Sequence, residues 1–226
     1  MRLRLIQSGD APTSSAVLLI NSPQHPFNVS AVSRLDTTTL IDVAIDDWNN
    51  ALTPWQAPGL RREDPPFGGE ARRTLEALTC ELATFERQNG LAPSHHAMVG
   101  YSLGGLFALY ALLNERMFDA AASVSGSLWF DEWTSYLEQQ PPDLGHGRFA
   151  YLSVGTKEKR AAQPRIKLVE QRTRQTEQLL QRLGFNTELT VGPGSHFQFV
   201  QDRLNRGFAV LEEALDGMAS CAGDAC

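Results

Sequence analysis

A chain of 226 residues, 42% hydrophobic and 20% charged, has enough apolar material for one full-sized core and the composition of an ordinary globular domain. Its formal net charge of −6, with basic residues scattered along the chain, argues against nucleic acid or an anionic membrane as a partner. No apolar run approaches the roughly 18 residues that cross a bilayer.

The N-terminal Met1-Arg2-Leu3-Arg4-Leu5-Ile6 runs into Gln-Ser-Gly-Asp rather than the apolar stretch of a signal peptide. Three cysteines, Cys80, Cys221 and Cys226, are too few and odd in number for a disulfide framework. A reducing, cytoplasmic location is the expectation, with Cys80 as a small buried hydrophobe in a helix. No histidine or cysteine cluster has zinc-ligand spacing, so no metal site is expected.

Short apolar runs alternate with helical patterns. Ala16 to Ile20 is continuously apolar and stops at Asn21-Ser22-Pro23, as a strand buried on both faces would. Leu40 to Ile45 is a second such run. From Asp46 to Gly69 the chain is rich in Pro, Trp, Asp and Asn and has no helical period; a stretch of this length is more often functional than idle. Leu75, Leu78, Leu82 and Phe85 predict a helix from near Glu70 to Gln88, stopped by Asn89-Gly90.

His96 to Gly100 reads as a short buried strand, followed by a sharp turn. The helix after it, about Leu103 to Glu115, is apolar on nearly every side and so belongs in the interior. Ala120 to Val124 and Phe149 to Val154 predict strands, with room between them for one short helix. An amphipathic pattern from Pro164 to Leu183 ends at Gly184. Thr187 to Val191 is the last strand, and Phe199 to Leu215 a closing helix. About six strands and four main helices in alternation give the open, doubly wound α/β class.

Gly100-Tyr101-Ser102-Leu103-Gly104 falls where the strand meets the interior helix. A G-x-S-x-G turn in that context lifts the serine hydroxyl clear of the sheet, and the next N–H, that of Leu103, faces the reaction centre. Ser125-Gly126-Ser127 also follows a strand but lacks the flanking glycines.

A serine hydroxyl needs a base. His95 and His96 precede the nucleophile strand at its wrong end, His25 lies in an N-terminal loop and His146 in a polar turn. His196, in Gly194-Ser195-His196-Phe197 after the last strand, emerges at the same sheet edge as Ser102. The order Ser, acid, His points to Glu158, after the strand 149–154, with Asp131 and Asp143 in reserve. A dyad without an acid also fits the residues.

These motifs resemble the esterase branch of the α/β-hydrolases, which includes esterase D-like and enterochelin (siderophore) esterase-like proteins. The resemblance is carried by Gly100 to Gly105, Ala121 to Trp129, Val154 to Glu158, Gly194 to Phe197 and Asp47 to Trp55, and runs from about residue 14 to 215. It implies one α/β-hydrolase domain over 1–217 with a minimal lid and a flexible tail over 218–226. It implies Ser102 as nucleophile, Glu158 as acid and His196 as base, cleaving a carboxylic ester or thioester of a small molecule without a cofactor.

One departure concerns the oxyanion. Where many such hydrolases have His-Gly or Asp-Gly after the first central strand, this chain has Asn21-Ser22-Pro23-Gln24, and Pro23 has no N–H. Ser22 or Gln24 is then the second donor beside Leu103. Tyr101, Trp48, Trp55 and Trp129 are the expected substrate-binding side chains. An acyltransferase with the same triad and a silent scaffold used for binding are the competing readings; the oligomeric state is open.

Overall fold

The computed structural model describes residues 1–7, 15–24, 27–28 and 38–223, with side chains through residue 220. Among the described residues seven strands form one sheet: β1 Arg2–Gln7, β2 Ser15–Asn21, β3 Thr38–Ala44, β6 His96–Tyr101, β7 Phe118–Val124, β8 Phe149–Gly155 and β9 Asn186–Gly192. Their spatial order is β1-β3-β2-β6-β7-β8-β9. Every pairing is parallel except that of β1 with β3. A two-residue pair, β4 Gln56–Ala57 with β5 Phe67–Gly68, lies apart from this sheet. The architecture is the single-domain, mainly parallel α/β fold that the alternating pattern predicts.

The central strands are buried on both sides, and alternate residues enter two cores. Leu18, Ile20, Met98, Ala121 and Leu152 pack with helices α2 Ala71–Asn89, α3 Leu103–Asn114, α4 Trp133–Glu138 and α6 Val169–Arg182. Val17, Leu19, Val99, Ala122 and Tyr151 pack on the other face with Leu204, Phe208, Leu211 and Leu215 of α7 Val200–Gly223. Helix α3 is buried from Leu103 to Leu113, which is why it carries no polar face. Helix α2 stops where Gly90 takes a left-handed φ of 66°.

Four elements differ from expectation. Strand β1 was not foreseen because its half-exposed, Arg-bearing alternation marks an antiparallel edge rather than a buried strand. The stretch from Asp46 to Gly69 contains a one-turn helix, α1 Trp48–Ala51, besides β4 and β5. The pattern 164–183 is two helices, α5 Pro164–Lys167 and α6, separated at Leu168. The closing helix continues to Gly223, so residues 218–223 are helical and only 224–226 of the expected tail lie outside the described residues.

Cys80 is exposed, against expectation: the buried positions of α2 are Ala71, Leu75, Leu78 and Leu82, and residue 80 points away from them. Cys226 lies outside the described residues, as does the side chain of Cys221. Among the described residues no helix is long and apolar enough to cross a membrane.

Candidate active site

The parallel strands β6, β8 and β9 end at one edge of the sheet, and each delivers one polar side chain there. Ser102 follows β6 directly, with φ 58° and ψ −122°. Such a backbone is strained for any residue with a Cβ and persists only when its surroundings enforce it. Here the Ser102 N–H donates to the Val124 carbonyl (3.1 Å), while its own carbonyl accepts from Gly105, Leu106 and Ser127. The turn can be this tight because a Cβ on Gly100 would lie 2.2 Å from the Gly104 backbone.

His196 stands in the loop after β9. Its Nε2 lies 3.2 Å from Ser102 Oγ, and its Nδ1 lies 2.7 Å from Glu158 Oε2. Glu158 opens a short 3-10 turn after β8 and its side chain is wholly buried, although Lys157, Lys159 and Arg160 around it are exposed. The carboxylate Oε1 accepts from the Gly155 N–H (2.7 Å) and from Arg203 Nη1 (2.9 Å). Burial, the largest influence, would push this carboxyl up. The hydrogen bond and charge of His196, with bonds from the Gly155 N–H and the Ser125 hydroxyl, outweigh it and hold the group below the ordinary glutamate range.

An ionised carboxylate only accepts, so Nδ1 of a neutral His196 carries the proton and Nε2 is left to accept from the Ser102 hydroxyl. The loops that carry Glu158 and His196 are also joined through the backbone: Thr156 N–H donates to Gly192 O (2.8 Å) and Lys157 N–H to Gly194 O (2.9 Å). The other titratable candidates lie elsewhere. His95 pairs with Asp119 and His96 with Glu86 at the start of β6, and Asp131 pairs with Arg165. His25 lies outside the described residues.

At the oxyanion side, Leu103 is the first residue of α3, where N–H groups have no intrahelical acceptor. Of the other two candidates, the Ser22 N–H is already given to Asn21 Oδ1 (2.9 Å). Asn21 is itself buried and fixed by Asp42, to which its Nδ2 donates at 2.8 Å. The Gln24 side chain donates to the Asp46 carbonyl; its backbone N–H has no acceptor among the described residues.

Ser102, Glu158 and His196 line an open cleft of about 1340 Å³. Its walls include Trp48, Trp129, Tyr101, Phe27, Leu60 and Ile166, with Ser22 and Gln24 at one side. Trp55 is absent from this lining: its ring packs on Phe130 and Tyr136, and its Nε1–H donates to the Asp131 carbonyl (2.9 Å). Proline and aromatic content marked the segment without telling wall from foundation.

Three residues stand at the site in places that the sequence reading did not assign them. Ser127, passed over as a nucleophile, puts its Oγ 3.3 Å from Ser102 Oγ. Phe197, beside the histidine, is 85% exposed at the cleft. Arg203 is buried on α7, and only its spacing of four from the buried Gly207 and three from the partly buried Val200 signalled that.

Comparison with known proteins bears on the family and the fold. The "Putative esterase" family model matches residues 24–199. Protein YbbA of Bacillus subtilis, itself uncharacterised, is 28% identical over 159 residues, which span 69% of this chain and 63% of that protein. Among solved structures, the siderophore hydrolase EstA of Aspergillus nidulans superposes with a TM-score of 0.73 at 19% identity, covering 94% of this chain and 89% of its own. An IroE-like serine hydrolase of Shewanella oneidensis gives 0.77 at 18% identity, over 93% and 74%. Such distant structures speak for the shared fold. The family match spans well over half the sequence, and this chain belongs to that esterase family, built on the α/β-hydrolase fold.

Proposed function

We propose that this protein hydrolyses a small-molecule carboxylic ester or thioester through an acyl-enzyme on Ser102. The observation that carries the reading is the continuous relay from Ser102 Oγ through His196 to the buried Glu158 carboxylate, at 3.2 and 2.7 Å. Membership of an esterase family supports it.

In this reading His196 Nε2 takes the hydroxyl proton as Ser102 Oγ attacks the acyl carbon. The charge that develops on the former carbonyl oxygen meets the N–H of Leu103 and that of Gln24, a pair worth about 10²–10³ in rate for each donor. Collapse of the tetrahedral adduct expels the alcohol or thiol, which leaves with the proton from His196. Water then attacks the acyl-enzyme with His196 again as base, and the carboxylic acid departs. Glu158 keeps the imidazole in the productive tautomer and stabilises the imidazolium at each stage. The apolar cleft walls suit a bulky acyl or aryl group.

A fluorophosphonate probe and a panel of p-nitrophenyl esters test this. Wild type should be labelled and turn over; Ser102→Ala should lose labelling and at least about 10³-fold in kcat. Labelling and turnover that persist in Ser102→Ala would overturn it.

A further inference from the structure

We infer that Arg203 is a positioning residue for this relay, a buried fork that holds the acid and the loop of the base in one register. The inference rests on the hydrolase reading above.

Arg203 stands in the first turns of α7, on the face with Leu204 and Phe208, and its side chain is 9% exposed. Nη1 donates to Glu158 Oε1 (2.9 Å) and to the Ser125 hydroxyl. Nη2 donates to the carbonyls of Gln198 (2.7 Å), Ser195 (2.8 Å) and Pro193 (3.2 Å). The five acceptors come from three segments: the end of β7, the turn that carries the acid, and the loop that carries His196. A guanidinium is planar with donors in fixed directions, so one side chain sets the three segments relative to one another. A lysine would supply the charge without the fork.

The two carboxylate oxygens are divided between partners, Oε1 to Arg203 and Gly155, Oε2 to His196. Arg203 therefore tempers the negative charge that His196 feels. Without it the imidazolium would be favoured, and the histidine would act as a base only at higher pH. Other charged and titratable groups face the same region: Tyr101 from β6, Tyr151 from β8, Asp202 and Arg206 from α7, and Lys157 and Arg160 from the acid turn. They are common to wild type and variants, so a moved pH limb reports on Arg203.

The test uses p-nitrophenyl acetate kinetics across pH, with fluorophosphonate titration of competent sites and circular dichroism to establish folding. Arg203→Met should lose about 10–100-fold in kcat with KM within about twofold, since the group touches no substrate. Its acid limb of kcat/KM should move up by about half a pH unit or more. Arg203→Lys should keep the limb near its wild-type place yet lose several-fold in kcat. In a Glu158→Gln background the Arg203→Met step should cost far less than in wild type.

A folded Arg203→Met with an unmoved limb would overturn the inference, because a merely structural arginine predicts that result. Where Arg203→Met fails to fold, Arg203→Lys decides alone: wild-type kcat in that variant would overturn it. A wild type with neither turnover nor labelling would sink the hydrolase reading instead. Even then, a proton NMR titration of His196 that is unmoved by Arg203→Met counts against Arg203 separately.

Discussion

Tyr101 and His196 hold each other at two points: their rings lie 4.8 Å apart, and the Tyr101 hydroxyl donates to the His196 carbonyl. The residue before the candidate nucleophile thus braces the candidate base. Sequence reasoning gave Tyr101 to the substrate; it does line the cleft, but its polar end is occupied by His196. Burial first, then the charge of Glu158, push its hydroxyl far above the ordinary tyrosine value, against the pull of Arg203, so it remains a neutral donor. Tyr101→Phe keeps the ring and removes one bond. Steady-state kinetics should show kcat down about three- to tenfold, the equivalent of roughly 1 kcal/mol, with KM unchanged. An unaltered kcat would free Tyr101 from this role.

The tryptophans of the 46–69 segment should separate cleanly. Trp48 lines the cleft and touches the elbow, since a Cβ on Gly104 would meet its ring at 3.2 Å. Trp48→Ala should raise KM for aryl and long acyl esters more than for acetyl esters. Trp55 is bonded into the scaffold through Asp131, Phe130 and Tyr136. Trp55→Ala should lower stability by about 3–5 kcal/mol in denaturant unfolding, as loss of a packed aromatic does. Its kinetic constants, measured while folded, should stay near wild type. The opposite pattern would reassign the two residues.

Glu158 makes part of the stability depend on acidity. Its folded value lies below the ordinary glutamate value of 4.5. The unfolded chain therefore takes up the proton first, and the associated stability is complete above that value and lost as pH falls toward the folded one. Melting curves of wild type from neutral pH downward should show this loss begin near the ordinary value. Glu158→Gln should be less stable at neutrality and should lack that part of the acid dependence. Parallel curves for the two proteins would show the carboxylate to be indifferent.

The strand-to-helix turn at Ser102 was legible because its signals are local: an apolar strand, glycines two residues either side of Ser102, and a helix apolar all round, within about twenty residues. Glu158 was reachable by chain order, yet its charged neighbours suggested a solvated surface. The short 3-10 turn, which no periodicity announces, turns Glu158 inward and leaves Lys157, Lys159 and Arg160 in water. Arg203 was illegible as a partner because its five acceptors come from separate stretches of chain. Trp55 and Trp48 share composition and differ only in tertiary surroundings. The Asn21 amide that occupies the Ser22 N–H is set by Asp42 on a neighbouring strand, a contact that only strand order reveals.

The backbone of Ser102 carries a last consequence. At φ 58° and ψ −122° it occupies ground that glycine enters freely and serine does not. Ser102→Gly should therefore melt above wild type, by about 1 kcal/mol after the greater freedom of the unfolded glycine chain is subtracted. A population screened for heat resistance alone would drift toward glycine at 102. On the proposed hydrolase reading, the hydroxyl that stands there instead marks a compromise in which durability has yielded to reactivity.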